Sequence, residues 1–339
     1  MKVASALVSG IRPLPNLAEI AVRQAMEKAG IRQATTVFLF LSRNMAHCAR
    51  DAVVAAAREA GTLQVHGCTG SGIFAPTGWV FGRSAAAALV MDRLIDGNVP
   101  GALTLSIAGT KQMPETWQDK PRIGLYDHRA TVWHNSHLQE PRQMELSLSG
   151  LRCFPSLVTG LRPLAEPLCV NACSGYTLQR VNQKPAYDSL FESISPPSTG
   201  RAPLHRLAVQ RYPGGPGILI TSANPDGSLT LEEKFQPGET LIWCMRQMIR
   251  AEKFVHEDMA RAKEAMTDPD FALMFSSVQR GPDFFSEDDD MDLRAVCAAY
   301  PDLPLIGTYS SGQIAPLGAR NPLYDWSVIT LLCKADDHV

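Results

Sequence analysis

Hydrophobic and polar positions along the chain follow helical spacing in some stretches and strand-like runs in others. The first helical stretch begins at Asn16, which forms a capping-box pattern with Glu19. Apolar residues then recur three and four positions apart until Gly30, which is typical of a helix end. The next apolar segments predict, in order, a strand at 37–41, a helix at 46–60 that ends before Gly61, a strand at 63–67 and a strand at 85–91. This alternation predicts an α/β layer.

A twelve-residue segment occurs twice in the chain. Residues 67–78 have the sequence GCTGSGIFAPTG and residues 307–318 have GTYSSGQIAPLG, with six identical positions and no gap. The pattern around the second copy predicts a helix at 241–266, a strand at 272–275, a helix at 288–299, a strand at 303–307 and a strand at 326–333. We therefore expect two homologous helix-strand-helix-strand-loop-strand modules, packed as a pseudo-symmetric pair whose repeated loops share one cleft.

The segment between the modules, residues 101–237, is predicted to be a β-rich insert. Its short apolar runs are separated by turn residues, and Asn224 to Gly227 has the composition of a reverse turn. The runs are 103–108, 144–148, 168–171, 207–211, 217–221 and 229–233. Residues 195–200 are rich in Pro and Ser and are predicted to be a linker. The predicted fold class is mixed α/β, with one domain at 1–225 that includes the insert and a second at 226–339.

Composition narrows the classes of function. The net charge of −2 provides no basic face for nucleic acid or an anionic membrane. The N-terminus is too weakly apolar for a signal peptide, and no stretch approaches the roughly 20 apolar residues that span a bilayer. We therefore expect a soluble, cytoplasmic protein. Its eight cysteines, spread along 339 residues, are expected to be reduced thiols.

Five segments carry a resemblance to a known family. They are GCTGSGIF (67–74) with AAAALVM (85–91), GLRPLAEPLCV (160–170), QKPAYDSL (183–190), FALMFSSVQRG (271–281) and PLIGTYSSGQIAPLGARN (304–321). Together they resemble the FIST family of bacterial sensory ligand-binding proteins, with a FIST N-type domain at 1–225 and a FIST C-type domain at 226–339. The family usually has Gly-Glu-Ile where this chain has Gly72-Ile73 and Gly312-Gln313-Ile314.

The resemblance implies a sensor for a small ligand. Amino-acid-like ligands are proposed for many members, and haem serves one branch as a nitric-oxide receptor. The chain has no kinase-like or cyclase-like segment, so its output is expected to pass through a separate signalling protein. The FIST domain of F-box proteins implies a further alternative, a protein-interaction scaffold without a ligand. The sequence leaves the oligomeric state open.

The repeated loops are the predicted binding site. Their glycines permit unusual backbone angles and leave N–H groups free to face an anion or a carbonyl. Arg280 and Arg320 are expected near strand or loop ends, where a guanidinium grips a carboxylate or forms an ordinary surface salt bridge. The predicted ligand-binding residues are Cys68, Thr69, Ser71, Gly72, Arg280, Thr308, Tyr309, Ser311, Gly312, Gln313, Arg320 and Asn321.

An enzymatic role is not favoured. The G-x-G-x-x-A pattern at 70–75 is followed at once by Pro76, so no helix opens there for a dinucleotide. Cys68 is a candidate nucleophile because histidines lie nearby in the sequence. The second copy has Thr308 at that position and Ile306 where the first copy has His66. Position 66 is therefore predicted to be a core position.

Three histidines are candidate ligands for the iron of haem. Neutral imidazole suits iron, so His66, His134 and His137 are the axial candidates if haem binds. The spacings of His134 with His137 and of Cys169 with Cys173 are not typical of structural zinc. The acidic run at 286–292 is interpreted as the first turn of a helix, with Ser286 as its cap.

Overall fold

The computed structural model describes residues 1–95, 102–111, 113–118, 120–194, 202–246, 251–282 and 290–336. The chain forms two compact units, the first made of Met1–Val158 with Glu252–Val339 and the second of Thr159–Ala251. The predicted division at residues 225 and 226 concerns family domains and stays a prediction. The α-helices in the described part of the chain are α1 Asn16–Ala29, α2 Ala49–Ala60, α3 Ala186–Ser193, α4 Ala251–Ala265 and α5 Met291–Ala299.

The first unit holds most of the strands. Those before the second unit are β1 Val3–Gly10, β2 Thr36–Ser42, β3 Val65–Gly70, β4 Gly72–Ala75, β5 Gly78–Phe81, β6 Ser84–Met91, β7 Thr104–Ala108, β8 Arg122–Tyr126, β9 Val132–His134, β10 His137–Leu138, β11 Gln143–Ser147 and β12 Leu151–Val158. The second unit contains β13 Leu161–Pro163, β14 Leu168–Ser174, β15 Thr177–Val181, β16 Lys184–Pro185, β17 Leu207–Gln210, β18 Ile218–Ala223, β19 Leu229–Leu231 and β20 Thr240–Arg246. The first unit resumes with β21 Phe271–Ser277, β22 Leu305–Ser310, β23 Gly312–Ile314, β24 Leu323–Tyr324 and β25 Val328–Ala335.

Two sheets of the first unit share the order and direction of four strands. One sheet has the order β1-β6-β2-β3-β9-β10, and the other has β12-β25-β21-β22-β4-β5. In each, two neighbouring strands run parallel, β2 with β3 and β21 with β22, and the two strands before them are antiparallel. A third sheet, β11-β7-β8-β23-β24, completes the unit.

The main core lies between the first two sheets. The rings of Phe40 and Phe275, one from each sheet, meet at 6.1 Å between centroids. Helices α1 and α2 cover the other face of the first sheet, while α4 and α5 cover that of the second. The near-continuous burial of β2 and β21 follows from this arrangement, because a strand covered on both faces is apolar throughout.

Only some of the helix caps predicted from the sequence are present in the structure. Helix α1 starts at Asn16, but no side chain caps it, so the predicted capping box is wrong. At the other ends, Gly30 and Gly61 adopt left-handed conformations with φ of 64° and 69°, as their positions predict. Helix α5 is capped by Asp290, whose side chain accepts from Leu293 N at 2.9 Å. The predicted cap Ser286 and the linker 195–200 lie outside the described residues.

The second unit is an antiparallel barrel. The pairings connect β14, β15, β19, β18, β17 and β20 in sequence, and β20 also pairs with β14, which closes the ring. Buried Leu190, Val209 and Trp243 belong to its core. The turn predicted at 224–227 is present, with Gly227 N donating to Asn224 O at 3.0 Å.

The predicted helix at 241–266 is wrong. Residues Thr240–Arg246 form β20 of the barrel, and Ala251–Ala265 form α4. A short apolar run such as 241–245 does not distinguish a buried strand from a buried helix, and tertiary pairing decides between them. The strands predicted at 103–108 and 144–148 exist as β7 and β11, but they belong to the first unit rather than to the insert. The eight cysteines are free, as predicted. None of the described helices has the length and apolarity needed to cross a membrane.

Candidate functional site

The two copies of the repeated segment lie side by side. Each copy is a strand, a one-residue bend and a second strand, with Ser71 as the bend between β3 and β4 and Ser311 as the bend between β22 and β23. β4 pairs with β22, Ser71 N donates to Tyr309 O at 3.0 Å, and Thr308 Oγ1 donates to Gly72 O at 3.0 Å. The segments predicted as loops are therefore mainly paired strands.

The two copies approach each other closely where they pair. A Cβ atom added at Gly70 would lie 1.8 Å from Thr308 Oγ1, and one added at Gly307 would lie 2.1 Å from the ring of Phe74. A cavity of about 210 Å³ lies beside residues 75–77, but no residue of the second copy lines it. The prediction that the loops face a common cleft is wrong at this contact, because backbone pairing fills the space.

Most predicted binding residues are buried and already bonded. Thr69 Oγ1 accepts from Thr131 N at 2.9 Å, and the Gln313 side chain bonds Ser310 and Ser327. The buried members of the predicted set are Cys68, Thr69, Gly72, Thr308, Tyr309, Gly312, Gln313 and Asn321. Their side chains organise the fold where the two copies meet.

Arg280 is part of a buried ion pair. Its Nε and Nη2 atoms each donate to a carboxylate oxygen of Asp292 at 2.7 Å, and the two side chains are 7% and 3% exposed. The Tyr309 hydroxyl donates to neighbouring Asp290. Burial, followed by the charge of Asp292, raises the pKa of Asp290 to about 6. Because Nε and Nη2 of Arg280 both bond Asp292, this side chain neutralises a buried carboxylate and is not placed to bind a ligand.

Arg320 and Asn321 lie away from the bends. Asn321 accepts from Arg122 N at 2.9 Å and donates to Trp117 O at 2.8 Å, which ties it to the start of β8. Ser311 lies beyond the opposite end of that strand, because Gly312 pairs with Tyr126. Five strand residues separate the two places by roughly 16 Å. Exposed Arg320 therefore does not reach the bends through this part of the fold.

At the two bends, Ser71 and Ser311 are half-buried, whereas the residues directly before and after each of them are buried. His128 Nδ1 lies 3.2 Å from Ser311 Oγ. His128 belongs to the tight turn 127–130, which joins β8 to β9 at the carboxyl end of β3. Arg43 follows the last residue of β2, and its Nη2 donates to buried Asp127 at 2.5 Å. We call Ser71, Ser311, Arg43, Asp127 and His128 the bend site.

The bend site combines polar hydrogen-bonding groups with the ion pair of Arg43 and Asp127. The Arg43 side chain is 32% exposed while Asp127 is fully buried, and Arg43 Nε is buried without a hydrogen-bond partner. The adjacent Arg129 is exposed. Sequence reasoning missed Arg43, Asp127 and His128. The available signal for Arg43 was its place directly after a buried parallel strand, where α/β folds bind ligands.

Cys68 does not have the surroundings of a nucleophile. Its side chain is fully buried in the core between the sheets. Burial, and then the charge of Asp127, raises the pKa of the Cys68 thiol well above its ordinary value. A thiolate is the reactive form, so the structure argues against catalysis by this residue.

The three candidate histidines occupy different environments. His66 is fully buried, as its core position predicts, and its Nδ1 lies 3.0 Å from His134 Nδ1. Burial, followed by the charge of His134, lowers the pKa of His66 to about 3. His137 is exposed, and its Nδ1 lies 2.6 Å from Asn135 O. Across the described ranges, no cluster of three or more His, Cys, Asp or Glu side chains is placed to hold a metal ion.

His137 lines a cavity of about 480 Å³ between the end of α2 and the β9–β10 hairpin. We call it the helix-edge cavity. Its lining combines apolar side chains with one cation and no acidic residue. The lining residues are Val54, Ala57, Arg58, Gly61, Thr62, Leu63, Ser136 and His137. The cavity lies near the amino end of β3, roughly 25 Å along the strand from Ser71.

Comparison with known proteins gives one family match and several distant relatives. Residues 198–316 match the model of the FIST C domain. The chain is 26% identical over 203 residues to the uncharacterized protein Mb0898c of Mycobacterium bovis, covering 56% of this chain and 52% of the relative. It is 24% identical over 198 residues to the uncharacterized protein Rv0628c of Mycobacterium tuberculosis, covering 53% and 50%.

The chain thus spans about half the length of the curated relatives that it matches. The domain match agrees with the resemblance carried by residues 271–281 and 304–321. The match over residues 198–316 supports membership of the FIST family.

Proposed function

We propose that this protein is a sensor that binds a small polar or anionic ligand, such as an amino acid or organic acid, at the bend site. FIST domains are sensory-type domains, which is consistent with a sensor role. One observation carries the proposal. Ser71 and Ser311, the bend residues of the two copies, are half-exposed and lie with His128 and Arg43 at the ends of parallel strands.

The chemistry of the bend site suits a carboxylate. Two serine hydroxyls and the imidazole of His128 offer hydrogen bonds, and Arg43 offers a planar guanidinium. Asp127 balances the charge of Arg43 from the buried side, at 2.5 Å. The ligand therefore meets a preoriented arginine whose exposed part faces solvent, and the nearby Arg129 adds positive charge.

The proposal includes the origin of the site. The shared strand order of the first two sheets and the repeated twelve residues support a duplicated module, packed as a pseudo-symmetric pair. In this proposal, duplication placed two equivalent bends next to each other. The cytoplasmic location, the separate signalling partner and the ligand class belong to the same proposal.

Titration calorimetry with a panel of amino acids and organic acids tests this function. A ligand at one hundred times its dissociation constant should also stabilise the fold by about 2.7 kcal/mol in a thermal melt. Arg43→Gln should weaken binding about 10- to 100-fold, as expected for loss of a charged hydrogen bond. Arg83→Gln is the matched control, since Arg83 is exposed and outside the bend site.

Arg43→Gln also breaks the ion pair with buried Asp127, which can destabilise the fold. A second variant therefore separates loss of binding from unfolding. The double change Ser71→Ala and Ser311→Ala keeps that pair and should still weaken binding. Unchanged affinity in both variants, or the absence of any ligand in the panel, would refute binding at the bend site. In the latter case the ligand-free interaction scaffold becomes the better hypothesis.

The helix-edge cavity favours a second candidate function, a haem-based gas sensor. His66 is fully buried, and its Nδ1 lies 3.0 Å from His134 Nδ1. His137 fits better. Its Nδ1 bonds a backbone carbonyl, the arrangement that orients metal-binding histidines and leaves Nε2 for iron. Arg58 could pair with a propionate, and Val54 and Leu63 supply apolar walls.

Haem would supply the iron that binds a diatomic gas. Titration of the protein with haemin should produce a Soret band that His137→Ala abolishes. His128→Ala is the control, because His128 is also exposed but belongs to the bend site. A Soret band that survives His137→Ala would refute this assignment.

A further inference from the structure

The sulfur atoms of Cys153 and Cys333 are in contact across two neighbouring strands. β12 pairs antiparallel with β25, and Cys153 stands directly opposite Cys333 in the register. Their Sγ atoms lie 3.7 Å apart, and both thiols are free. Directly opposed residues in an antiparallel pair have Cβ atoms about 4.5–5.5 Å apart, close to the spacing that a disulfide requires.

We propose that Cys153 and Cys333 form a reversible intrachain disulfide when the protein reacts with hydrogen peroxide. The geometry requires little movement, since closing a gap of 3.7 Å to a bond of about 2.05 Å moves each sulfur by about 0.8 Å. Rotation of the side chains can provide this shift while the backbone ladder stays in place.

The exposure of the two thiols sets the order of the reaction. Cys153 is half-buried on the edge strand of its sheet, whereas Cys333 is fully buried on the next strand. Peroxide therefore meets Cys153 first. The Cys153 sulfur attacks one oxygen of the peroxide, the O–O bond breaks, and a sulfenic acid and one water form. The Cys333 sulfur then attacks the sulfenic sulfur and releases a second water.

The steps balance as two thiols and one peroxide giving one disulfide and two waters. Burial raises the pKa of the Cys333 thiol well above its ordinary value, so the second step should be slow and should accelerate at alkaline pH. A dithiol reductant reverses the reaction. The result is a covalent tie between β12 and β25, at the point where the chain leaves the first unit after Val158.

Peptide mapping of the full chain tests this proposal. After limited hydrogen peroxide treatment and blocking of the remaining thiols, the number of free thiols should fall from eight to six. Mass spectrometry should find one linkage, Cys153 to Cys333, that disappears after a dithiol is added. Cys153→Ser should abolish the linkage. Cys169→Ser is the matched control and should leave it intact, since exposed Cys169 has no cysteine as a bonding partner.

The wild-type mapping does not depend on how the variants fold. A linkage between other cysteines, or no linkage while Cys153 is oxidised further, would overturn the proposal. A thermal melt provides a second readout. The oxidised wild type should melt at a higher temperature than the reduced form, because the bond restricts the unfolded chain. Equal melting temperatures in the presence of the mapped bond would overturn its role as a stabilising tie between β12 and β25.

Discussion

Replacing His66 with isoleucine should remove part of the acid sensitivity of the first unit. His66 is fully buried on β3 beside His134, and burial lowers its pKa from 6.5 to about 3. The neutral ring is therefore favoured in the folded state. Its contribution to stability is complete above pH 6.5 and is lost progressively as the pH falls toward 3, because the unfolded chain takes up the proton first.

The size of the effect follows from these two values. At pH 5 the unfolded state is almost fully protonated at this ring and the folded state is almost fully neutral. The difference in proton binding corresponds to about 1.5 pH units, or about 2 kcal/mol of unfolding free energy between pH 7 and pH 5. The repeat provides the replacement, since Ile306 is the fully buried residue at the equivalent position of β22.

Urea unfolding at pH 7 and pH 5 measures the difference. A Trp243→Phe background removes the one tryptophan of the second unit, so the fluorescence reports the first unit. Asp290 has a raised pKa of about 6, and it stabilises the fold as the pH falls through the same range. That contribution is present in both proteins and cancels when their pH dependences are subtracted.

Between pH 7 and pH 5, the unfolding free energy of the wild type should fall by about 2 kcal/mol more than that of His66→Ile. Exposed His47 provides the control, and His47→Gln should retain the acid sensitivity of the wild type. A subtraction that gives less than about 0.5 kcal/mol would refute the reasoning, because surface changes alone reach that size.

Three further predictions concern the interior. Gly307→Ala should lower the unfolding free energy by at least about 1–3 kcal/mol in urea unfolding, because the new methyl would lie 2.1 Å from the packed ring of Phe74. An unchanged urea midpoint would contradict this close approach. Arg280→Met should lower the unfolding free energy by about 3–5 kcal/mol, because it leaves Asp292 buried and unpaired. The double variant Arg280→Met with Asp292→Leu should lower it less in the same urea assay. Iodoacetamide should modify exposed Cys169 in the native protein and leave Cys68 unmodified until urea unfolds the chain, as mass spectrometry would show, and native labelling of Cys68 would contradict its burial.

The local pattern predicted most of the α/β layers. Helices α1 and α2 and strands β2, β21 and β25 fall close to their predicted positions, because each carries a period or an apolar run that depends only on neighbouring residues. The same local information failed at residues 241–266. There the partner strands β14 and β17 convert an apolar run into part of a barrel, and those partners lie far away in the sequence.

The candidate site shows the same limit. The repeat predicted loops that share a cleft, whereas the two copies pair through their backbones, and ten of the twelve predicted binding residues lie in the interior or away from the bends. Tyr309 and Arg280 look like ligand contacts in the sequence, and only the position of α5 assigns their polar atoms to Asp290 and Asp292. Arg43, Asp127 and His128 carried no shared pattern that would connect them.

The sequence by itself determined the α/β class, the apolar strands, the helix ends at Gly30 and Gly61 and the similarity of two twelve-residue segments. These features depend on interactions within a few positions, which periodicity and backbone preference record directly. Tertiary structure alone decided that Thr308 would donate to Gly72, 236 positions away, and that His128 would meet Ser311, 183 positions away. Burial and hydrogen-bond partners are properties of packed neighbours, and packing joins residues whose separation along the chain leaves no local trace.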